Sequence, residues 1–276
     1  MRNPSFSRPS VQISAVVLDW AGTAVDFGSR APVDAFMAAF AGWDIAVTAA
    51  DVRGPMGRHK RDHLGALFAL PHVAAQWQAR YGEAPTEATI DAVYASFVPT
   101  QLGVLHEYAT PIPGFLEVLA QWRAAGIRVG STTGYTADML KIVADSAAKQ
   151  GYIPDHRVAA DQATSGRPAP WMLWRNLEVL GVWPPAAVVK MGDTPADVAE
   201  GLNAGAWTVG LASCGNEVGL TWAEWSGLDA TEQARLIEAA RTKLLAAGVH
   251  YVADSWADVP AIFADINARL ASGDRP

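Results

Sequence analysis

Four short apolar segments constrain the fold of this chain more than any other feature of its sequence. Each segment is rich in β-branched residues and is followed by glycine or by a polar turn. Parallel strands that are buried on both faces have such continuous apolar runs. The predicted strands are Val11–Leu18, Ile127–Ser131, Ala187–Met191 and Trp207–Leu211.

Helical patterns lie between these strands, and each of them ends close to a glycine. Glycine commonly ends a helix because it adopts the left-handed conformation without strain. These helices are predicted over Phe115–Ala125, Met139–Lys149 and Trp171–Leu180, before Gly126, Gly151 and Gly181. Alternating strands and helices predict an α/β fold with a doubly wound, Rossmann-like parallel sheet.

The long segment between the first two predicted strands has no strand pattern of its own. It carries helical patterns instead, over Pro32–Phe40, His59–Leu70 and Thr86–Leu105. A length of 276 residues lies between the expectation for one domain and that for two. We therefore predict a Rossmann-like core formed by residues 1–26 and 108–276, interrupted by a helical cap domain at residues 27–107.

Composition limits the class of protein and its partners. Half of the residues are hydrophobic and 18% are charged, which is enough apolar material for a sizeable core. The excess of 28 acidic over 21 basic residues argues against a nucleic-acid partner. No apolar run approaches the roughly 20 residues that span a membrane. Cys214 is the single cysteine and cannot form an internal disulfide, so we expect a cytoplasmic location.

The first two strands end in polar residues, where open α/β sheets bind their ligands. Asp19 follows the first strand in the sequence DWAGT and can be either a nucleophile held in a tight loop or a turn residue. The second strand ends in STTGYT, residues 131–136. Its hydroxyl groups and amides can hold phosphoryl oxygens or simply cap a helix.

Two further motifs carry charge. Arg167 stands in GRPAPW, before a helix that begins with proline, and its guanidinium keeps its charge at any physiological pH. Asp193 and Asp197 stand in GDTPAD after the third strand. Two carboxylates at this spacing suit one hard divalent cation, and they also suit a capped helix start.

The four motifs together resemble the signature of the haloacid dehalogenase superfamily of aspartyl-phosphate enzymes. The resemblance implies that Asp19 is the nucleophile of a haloacid dehalogenase core. Most phosphatases of the superfamily have a second aspartate two residues after the nucleophile, which protonates the leaving alkoxide. In this chain that position is Ala21. An ordinary phosphatase would therefore lack its general acid.

The predicted cap contains an unusual basic segment, GPMGRHKRDH, at residues 54–63. Spacings of four and three residues predict that Met56, Lys60 and His63 share one helical face. The segment can be a solvated basic surface. For chemistry, Lys60 would have to lose its proton, and we expect like charges from neighbours such as Arg58 and Arg61, together with burial, to lower its pKa.

With Ala21 at the acid position, this segment makes the chain similar to the phosphonoacetaldehyde hydrolases (phosphonatases). The similarity runs through all five motifs. It implies cleavage of the carbon–phosphorus bond of phosphonoacetaldehyde by water, through a Schiff base on Lys60 and an aspartyl phosphate on Asp19. The residues that it further assigns to catalysis and substrate binding are His63, Met56, Thr133 or Thr132, Arg167, Tyr135 and Gly57.

The resemblance also implies a cofactor and a partner. Mg²⁺ would be held by Asp19, the backbone carbonyl of Ala21 and Asp193, with Asp197 orienting its ligands. A homodimer would form through the cap helix near Pro32–Phe40. Two alternatives remain at this point: a sugar- or metabolite-phosphate phosphatase that does not need Lys60, and a non-catalytic scaffold that binds Mg²⁺ or phosphate.

Overall fold

A computed structural model describes residues 12–276 of the chain. The strands are β1 Ala15–Leu18, β2 Arg128–Thr132, β3 His156–Val158, β4 Val188–Gly192, β5 Trp207–Leu211 and β6 Tyr251–Ala253. They form one sheet in the order β3-β2-β1-β4-β5-β6, and every neighbouring pair is parallel. The predicted α/β fold with a doubly wound sheet is confirmed.

The central strands explain why the sequence pattern is so clear. Every residue of β1, β4 and β5 is buried, so these strands need apolar residues on both faces. The predicted start of the first strand, Val11, lies outside the described residues. The edge strands β3 and β6 were not predicted, because each has three residues and is partly exposed.

Within the described chain, five α-helices lie in the segment predicted to form the cap, between residues 27 and 107. They are α1 Arg30–Ala41, α2 Ala49–Arg53, α3 Lys60–Phe68, α4 Pro71–Tyr81 and α5 Glu87–Val104. Three of them match the predicted helices closely, whereas α2 and α4 were missed. Helix α1 packs against α2 and α5, and α3 packs against α4 and α5. The Phe36 ring stacks between His63 and Phe97 at the centre of this group.

The remaining helices surround the sheet. They are α6 Phe115–Ala124, α7 Ala137–Ala148, α8 Trp171–Leu180, α9 Pro195–Ala204, α10 Trp222–Gly227, α11 Ala230–Ala246 and α12 Val259–Ala271. Helix α7 begins two residues before the predicted start because the side chain of Thr136 caps it. No helix within residues 12–276 is both long enough and apolar enough to cross a membrane.

The chain leaves the sheet for α1 and returns from α5 at adjacent points. The Asp26 N–H donates to the carbonyl of Thr110 at 3.2 Å, and Val25 pairs with Pro111. A short double connection of this kind is what an inserted domain needs. We therefore propose that residues 27–107 form a cap that is distinct from the core.

Candidate active site

Three aspartates meet at the carboxyl edge of the sheet. Asp19 follows β1 and Asp193 follows β4, the neighbouring strand, and the Asp19 N–H donates to the Met191 carbonyl at 3.0 Å. Asp197 lies in the first turn of α9, which Thr194 caps. One carboxylate oxygen of each aspartate lies within 4.8 Å of the others, and all three residues are buried.

Asp193 is a buried carboxylate that lacks a cation. It accepts hydrogen bonds from the Thr23 hydroxyl at 3.1 Å and from the Asn216 N–H at 2.6 Å, and it forms no ion pair within residues 12–276. Burial, reinforced by the charges of Asp19 and Asp197, raises its pKa well above the ordinary value. A hard divalent cation prefers oxygen ligands and would balance these charges. The donor set therefore fits such an ion.

Asp197 already has cationic partners. Its Oδ1 lies 3.0 Å from Arg167 Nη1 and 2.8 Å from Lys190 Nζ, and its Oδ2 accepts from the Thr194 hydroxyl at 2.6 Å. Burial alone would raise the pKa of Asp197, but Arg167 and Lys190 hold it below the ordinary value. With both oxygens engaged, Asp197 is better suited to orienting the site than to binding an ion directly.

Arg167 joins the nucleophile position to the second strand. Its Nη2 donates to Asp19 Oδ1 and to Thr132 Oγ1, both at 2.8 Å, and its Nε donates to Glu200 Oε2 at 3.0 Å. The Thr132 hydroxyl in turn donates to Glu200 at 2.8 Å. Burial raises the pKa of Asp19, and Arg167 opposes that rise. Thr132 thus lies in a buried ionic network. Thr133 lies outside that network: its Oγ1 accepts from the Tyr135 N–H at 3.1 Å, which leaves its hydroxyl hydrogen available to a ligand.

A small cavity of about 20 Å³ connects these residues to the segment before α3. That volume has room for one or two water molecules. Most of the predicted site residues line its wall, whereas Thr132, His63, Asp193 and Asp197 do not. The wall consists of Asp19, Ala21, Ser29, Pro32, Met56, Gly57, Lys60, Thr133, Gly134, Tyr135, Arg167 and Thr194.

Lys60 enters this cavity from the first position of α3. Its Nζ lies 5.0 Å from the ring centre of Tyr135 and 5.6 Å from that of Phe36, and it has no hydrogen-bond or ion-pair partner in the described part of the chain. Burial lowers the pKa of Lys60 to about 8, with a smaller contribution from Arg167 and an opposing one from Asp19. The predicted effect of burial is confirmed.

Two details of the prediction for this segment are wrong. Like charges within the segment do not lower the pKa of Lys60, because Arg61 turns outward to Glu87 and Asp91 at 2.8 and 2.7 Å. Met56 does not share a helical face with Lys60, because α3 begins only at Lys60. Met56 reaches the cavity from the preceding turn.

Gly57 makes that turn possible. Its φ of +88° disfavours residues with a side chain, and a Cβ there would lie 2.5 Å from Thr194 Oγ1. The Gly57 carbonyl lies 3.5 Å from Arg167 Nη1. The turn before α3 therefore touches both the start of α9 and the buried arginine.

His63 lies one helical turn after Lys60 and is fully buried. Its ring stacks on Phe36 with 4.0 Å between the ring centres. Burial lowers its pKa well below the ordinary value, with a smaller contribution from the charge of Lys60. His63 is therefore neutral at physiological pH and does not add positive charge to the site.

Several buried polar residues of the site were missed by the sequence analysis. Lys190 has a detectable signal, because a lysine stands in the middle of an otherwise apolar strand, AVVKM. Glu200 lies one turn after Asp197 on α9 and meets Lys190 Nζ at 3.3 Å. Asn216 and Ser29 carry no local signal, and only the fold brings them to Asp193 and to the cavity.

Comparison with known proteins gives a consistent family assignment. A family model described as haloacid dehalogenase-like hydrolase matches residues 13–205. A protein from Klebsiella pneumoniae named phosphonoacetaldehyde hydrolase is 48% identical over 267 residues, which cover 96% of this chain and 99% of that protein. The Salmonella typhi protein of the same name matches to the same extent.

Solved structures agree with this result. The phosphonoacetaldehyde hydrolase-like protein from Oleispira antarctica superposes with a TM-score of 0.94 at 39% identity, over 100% of this chain and 99% of that one. A hydrolase from Pseudomonas syringae shares the fold, with a TM-score of 0.64 at 17% identity over 92% of this chain and 99% of that one. The chain is a haloacid dehalogenase-like hydrolase and belongs to the phosphonoacetaldehyde hydrolase family.

Proposed function

We propose that this chain hydrolyses phosphonoacetaldehyde to acetaldehyde and phosphate, with Lys60 and Asp19 as its two covalent catalysts. The observation that carries the proposal is that a buried lysine of lowered pKa and a buried aspartate line one small cavity. A carbon–phosphorus bond has no easy leaving group, since the departing carbanion is very basic. Such a bond needs both an electron sink on carbon and a nucleophile at phosphorus.

Lys60 supplies the electron sink. A pKa of about 8 leaves about a tenth of the lysine neutral at pH 7, a few hundred times more than for an ordinary lysine. The neutral amine adds to the aldehyde, and loss of one water gives a protonated imine. When the carbon–phosphorus bond breaks, its electron pair moves into this imine and forms a neutral enamine.

Asp19 supplies the nucleophile. Its carboxylate attacks phosphorus as the carbon–phosphorus bond breaks, and the product is an aspartyl phosphate. One water hydrolyses the aspartyl phosphate to phosphate. Protonation of the enamine carbon restores the imine, and a second water releases acetaldehyde and Lys60. With one water lost in imine formation, the reaction consumes one water in total.

The absence of an acid at Ala21 agrees with this chemistry. The leaving group departs as a neutral enamine and needs no proton at the moment of bond cleavage. An ester phosphatase would release an alkoxide and would need an acid beside it. Ala21 therefore favours the phosphonate over the phosphate ester.

Other residues of the wall bind and orient the substrate in this proposal. Arg167 holds the phosphonyl oxygens by charge-assisted hydrogen bonds, with Thr133 as the second donor. Met56, Gly57 and Tyr135 surround the aldehyde carbon, as their place around Lys60 suggests. His63 is neutral and one turn from Lys60, and we assign it to proton exchange with that amine.

Mg²⁺ is the proposed cofactor. Asp19, Asp193 and the carbonyl of Ala21 would hold it, and Asp197 would orient the site through Arg167 and Lys190. The Ala21 carbonyl accepts none of the hydrogen bonds found within residues 12–276, so it is free to bind an ion. When bound, the ion reduces the repulsion between a carboxylate nucleophile and an anionic phosphonate.

The proposal is tested by comparing two substrates in two proteins. Phosphate release is measured from phosphonoacetaldehyde and from para-nitrophenyl phosphate, with the wild type and with Lys60→Arg. We expect the wild type to prefer phosphonoacetaldehyde strongly and the variant to lose that activity. Rapid turnover of the phosphate ester that is indifferent to Lys60→Arg would instead identify a phosphatase. Absence of turnover of both substrates in the presence of Mg²⁺ would favour a non-catalytic protein.

We further propose a cytoplasmic homodimer. Cys214 is buried and is the single cysteine, so the fold needs no oxidising compartment. In α1, the predicted contact, Val33, Phe36 and Phe40 are buried within their own protomer, and Met37 is the exposed large apolar residue. Sedimentation equilibrium should give a dimer that Met37→Glu weakens, and a monomeric wild type would contradict this proposal.

A further inference from the structure

Arg53 connects the cap to the loop that follows β5. It is the last residue of α2, and its guanidinium contacts this loop, outside the cap, as well as Gly28 at the start of the cap. Its Nη1 donates to the Asn216 carbonyl at 2.8 Å and to the Gly28 carbonyl at 3.0 Å, and its Nη2 donates to the Gly219 carbonyl at 3.2 Å. A planar guanidinium is well suited to several carbonyls in fixed positions.

The loop is shaped to receive this guanidinium. A Cβ on Gly219 would lie 2.7 Å from Arg53 Cζ, and the φ of Gly219 is +65°. The Asn216 side chain completes the link, since its Nδ2 donates to the Arg53 carbonyl at 3.0 Å. Arg53 and Asn216 therefore bind each other through hydrogen bonds in both directions.

Asn216 is also the residue that holds Asp193. Its backbone N–H donates to Asp193 Oδ2 at 2.6 Å. An unbroken chain of hydrogen bonds thus runs from α2 in the cap, through Asn216, to the carboxylate that lacks a cation. Residues that orient a metal-binding carboxylate in this way commonly change metal affinity when they are mutated.

We propose that Arg53 is a positioning residue that couples the seating of the cap on the core to the orientation of Asp193 for a divalent cation. The inference rests on the proposed function only for the identity of the ion. Coupling between two equilibria is reciprocal. The bound ion should therefore stabilise the seated cap by the same free energy by which the seated cap stabilises the bound ion.

The cap offers a matched control. Arg30 also reaches from the cap to the core, where its Nη1 lies 3.6 Å from Glu224 Oε2 on α10. Among the hydrogen bonds and ion pairs of the described residues, Arg30 has no contact with the loop that follows β5, residues 212–220. Arg30→Ala therefore removes a cap–core contact without breaking the chain to Asp193.

The test measures Mg²⁺ binding by calorimetry without substrate, in wild type, Arg53→Ala, Arg53→Lys and Arg30→Ala. We expect a dissociation constant raised by about 10-fold or more in Arg53→Ala and less in Arg53→Lys, as is usual for residues behind a metal ligand. Arg30→Ala should stay within about twofold of the wild type, the range of an exposed ion pair. Equal affinities in Arg53→Ala and wild type would overturn the inference while leaving the proposed function intact.

A second readout follows the cap itself. Mg²⁺ should protect the connections at residues 26–29 and 108–111 from limited proteolysis in wild type and Arg30→Ala, and much less in Arg53→Ala. If Arg53→Ala does not fold, Asn216→Ala removes the side-chain half of the link and should also weaken Mg²⁺ binding. A wild type that binds no Mg²⁺ would contradict the metal site of the proposed function, and the inference with it.

Discussion

At the scale of single residues, burial decides the chemistry of this site. Lys60 and Asp193 carry opposite charges and both are shifted toward their neutral forms, because each is buried without a matching partner. Arg167 and Asp197 are just as buried but have each other. The uncompensated residues are those to which we assign imine formation and cation binding. Of the paired residues, Asp197 is assigned to orienting the site and Arg167 to holding the phosphonyl oxygens.

The pH dependence of turnover should report the pKa of Lys60. The lysine reacts as the neutral amine, so kcat/KM for phosphonoacetaldehyde should rise about tenfold per pH unit below a pH of about 8 and level off above it. The measurement is a pH–rate profile at saturating Mg²⁺. A profile that is flat between pH 6 and 9 would disagree with imine formation by a titrating lysine.

Lys190 should be important for stability. It is buried between Asp197 at 2.8 Å and Glu200 at 3.3 Å, so Lys190→Met leaves these two buried carboxylates with Arg167 as the single cation that pairs with them among the described residues. We expect a loss of about 3–5 kcal/mol in the free energy of unfolding, measured by urea denaturation. Arg61→Ala, which breaks exposed ion pairs, should have little effect. A similarly small effect of Lys190→Met would be inconsistent with the buried network.

At the scale of elements, the start of α1 carries a buried charge. The Asp26 carboxylate accepts the N–H groups of Arg30 and Ala31 at 3.1 and 3.0 Å, which fixes the direction in which the cap leaves the core. Burial nevertheless raises its pKa to about 7. The hydrogen bonds favour the charged form, so burial outweighs them.

This raised pKa predicts a stability change with pH. Between its ordinary pKa of 3.8 and about 7, the folded state keeps a proton that the unfolded state has lost. Stability from this group is therefore present at low pH and is lost as the pH rises to about 7, by a few kcal/mol at most. Asp26→Asn should flatten the free energy of unfolding across this range, and Asp34→Asn on the exposed side of α1 should not. If the free energy of unfolding depended on pH equally in wild type and Asp26→Asn, Asp26 would not be the cause of the stability change.

At the scale of the whole molecule, an acidic protein must attract an anionic substrate. The net charge is −7, yet the cavity wall contains Arg167 and Lys60 and faces the proposed cation site. A cavity of about 20 Å³ is smaller than phosphonoacetaldehyde, so we expect the proposed cap to move when that substrate binds. In the proposed mechanism, closure of the cap would then exclude bulk water while the imine exists.

Removal of Mg²⁺ should affect both activity and stability. EDTA should abolish phosphate release, and Mg²⁺ should raise the melting temperature because it binds the folded state only. Asp193→Asn removes a buried charge, so it should stabilise the metal-free protein. The variant should also lose the Mg²⁺-induced rise in melting temperature, as measured by calorimetry. An equal rise in the variant and the wild type would show that the ion binds elsewhere.

The parts that sequence reasoning predicted well are those with a local physical signal. Buried central strands need apolar runs, and the residues at their ends, such as Asp19, can be identified directly. Helix α2 has too few residues to show a periodic pattern, so it was not predicted. Helix α4 follows α3 after two residues, so it was not recognised as a separate helix. Lys190 and Asn216 depend on contacts between distant segments, which no local pattern encodes. The assignment of Met56 to a helical face was wrong because the chain turns at Gly57 and α3 begins only at Lys60.

The most direct test of imine chemistry is borohydride reduction in Asp19→Asn. This variant keeps Lys60 but lacks the nucleophile, so the imine should form while the carbon–phosphorus bond stays intact. Mass spectrometry of peptides should find a phosphonoethyl group on Lys60 in Asp19→Asn and an ethyl group in the wild type. Absence of any adduct on Lys60 in both proteins, with phosphonoacetaldehyde and Mg²⁺ present, would contradict the account.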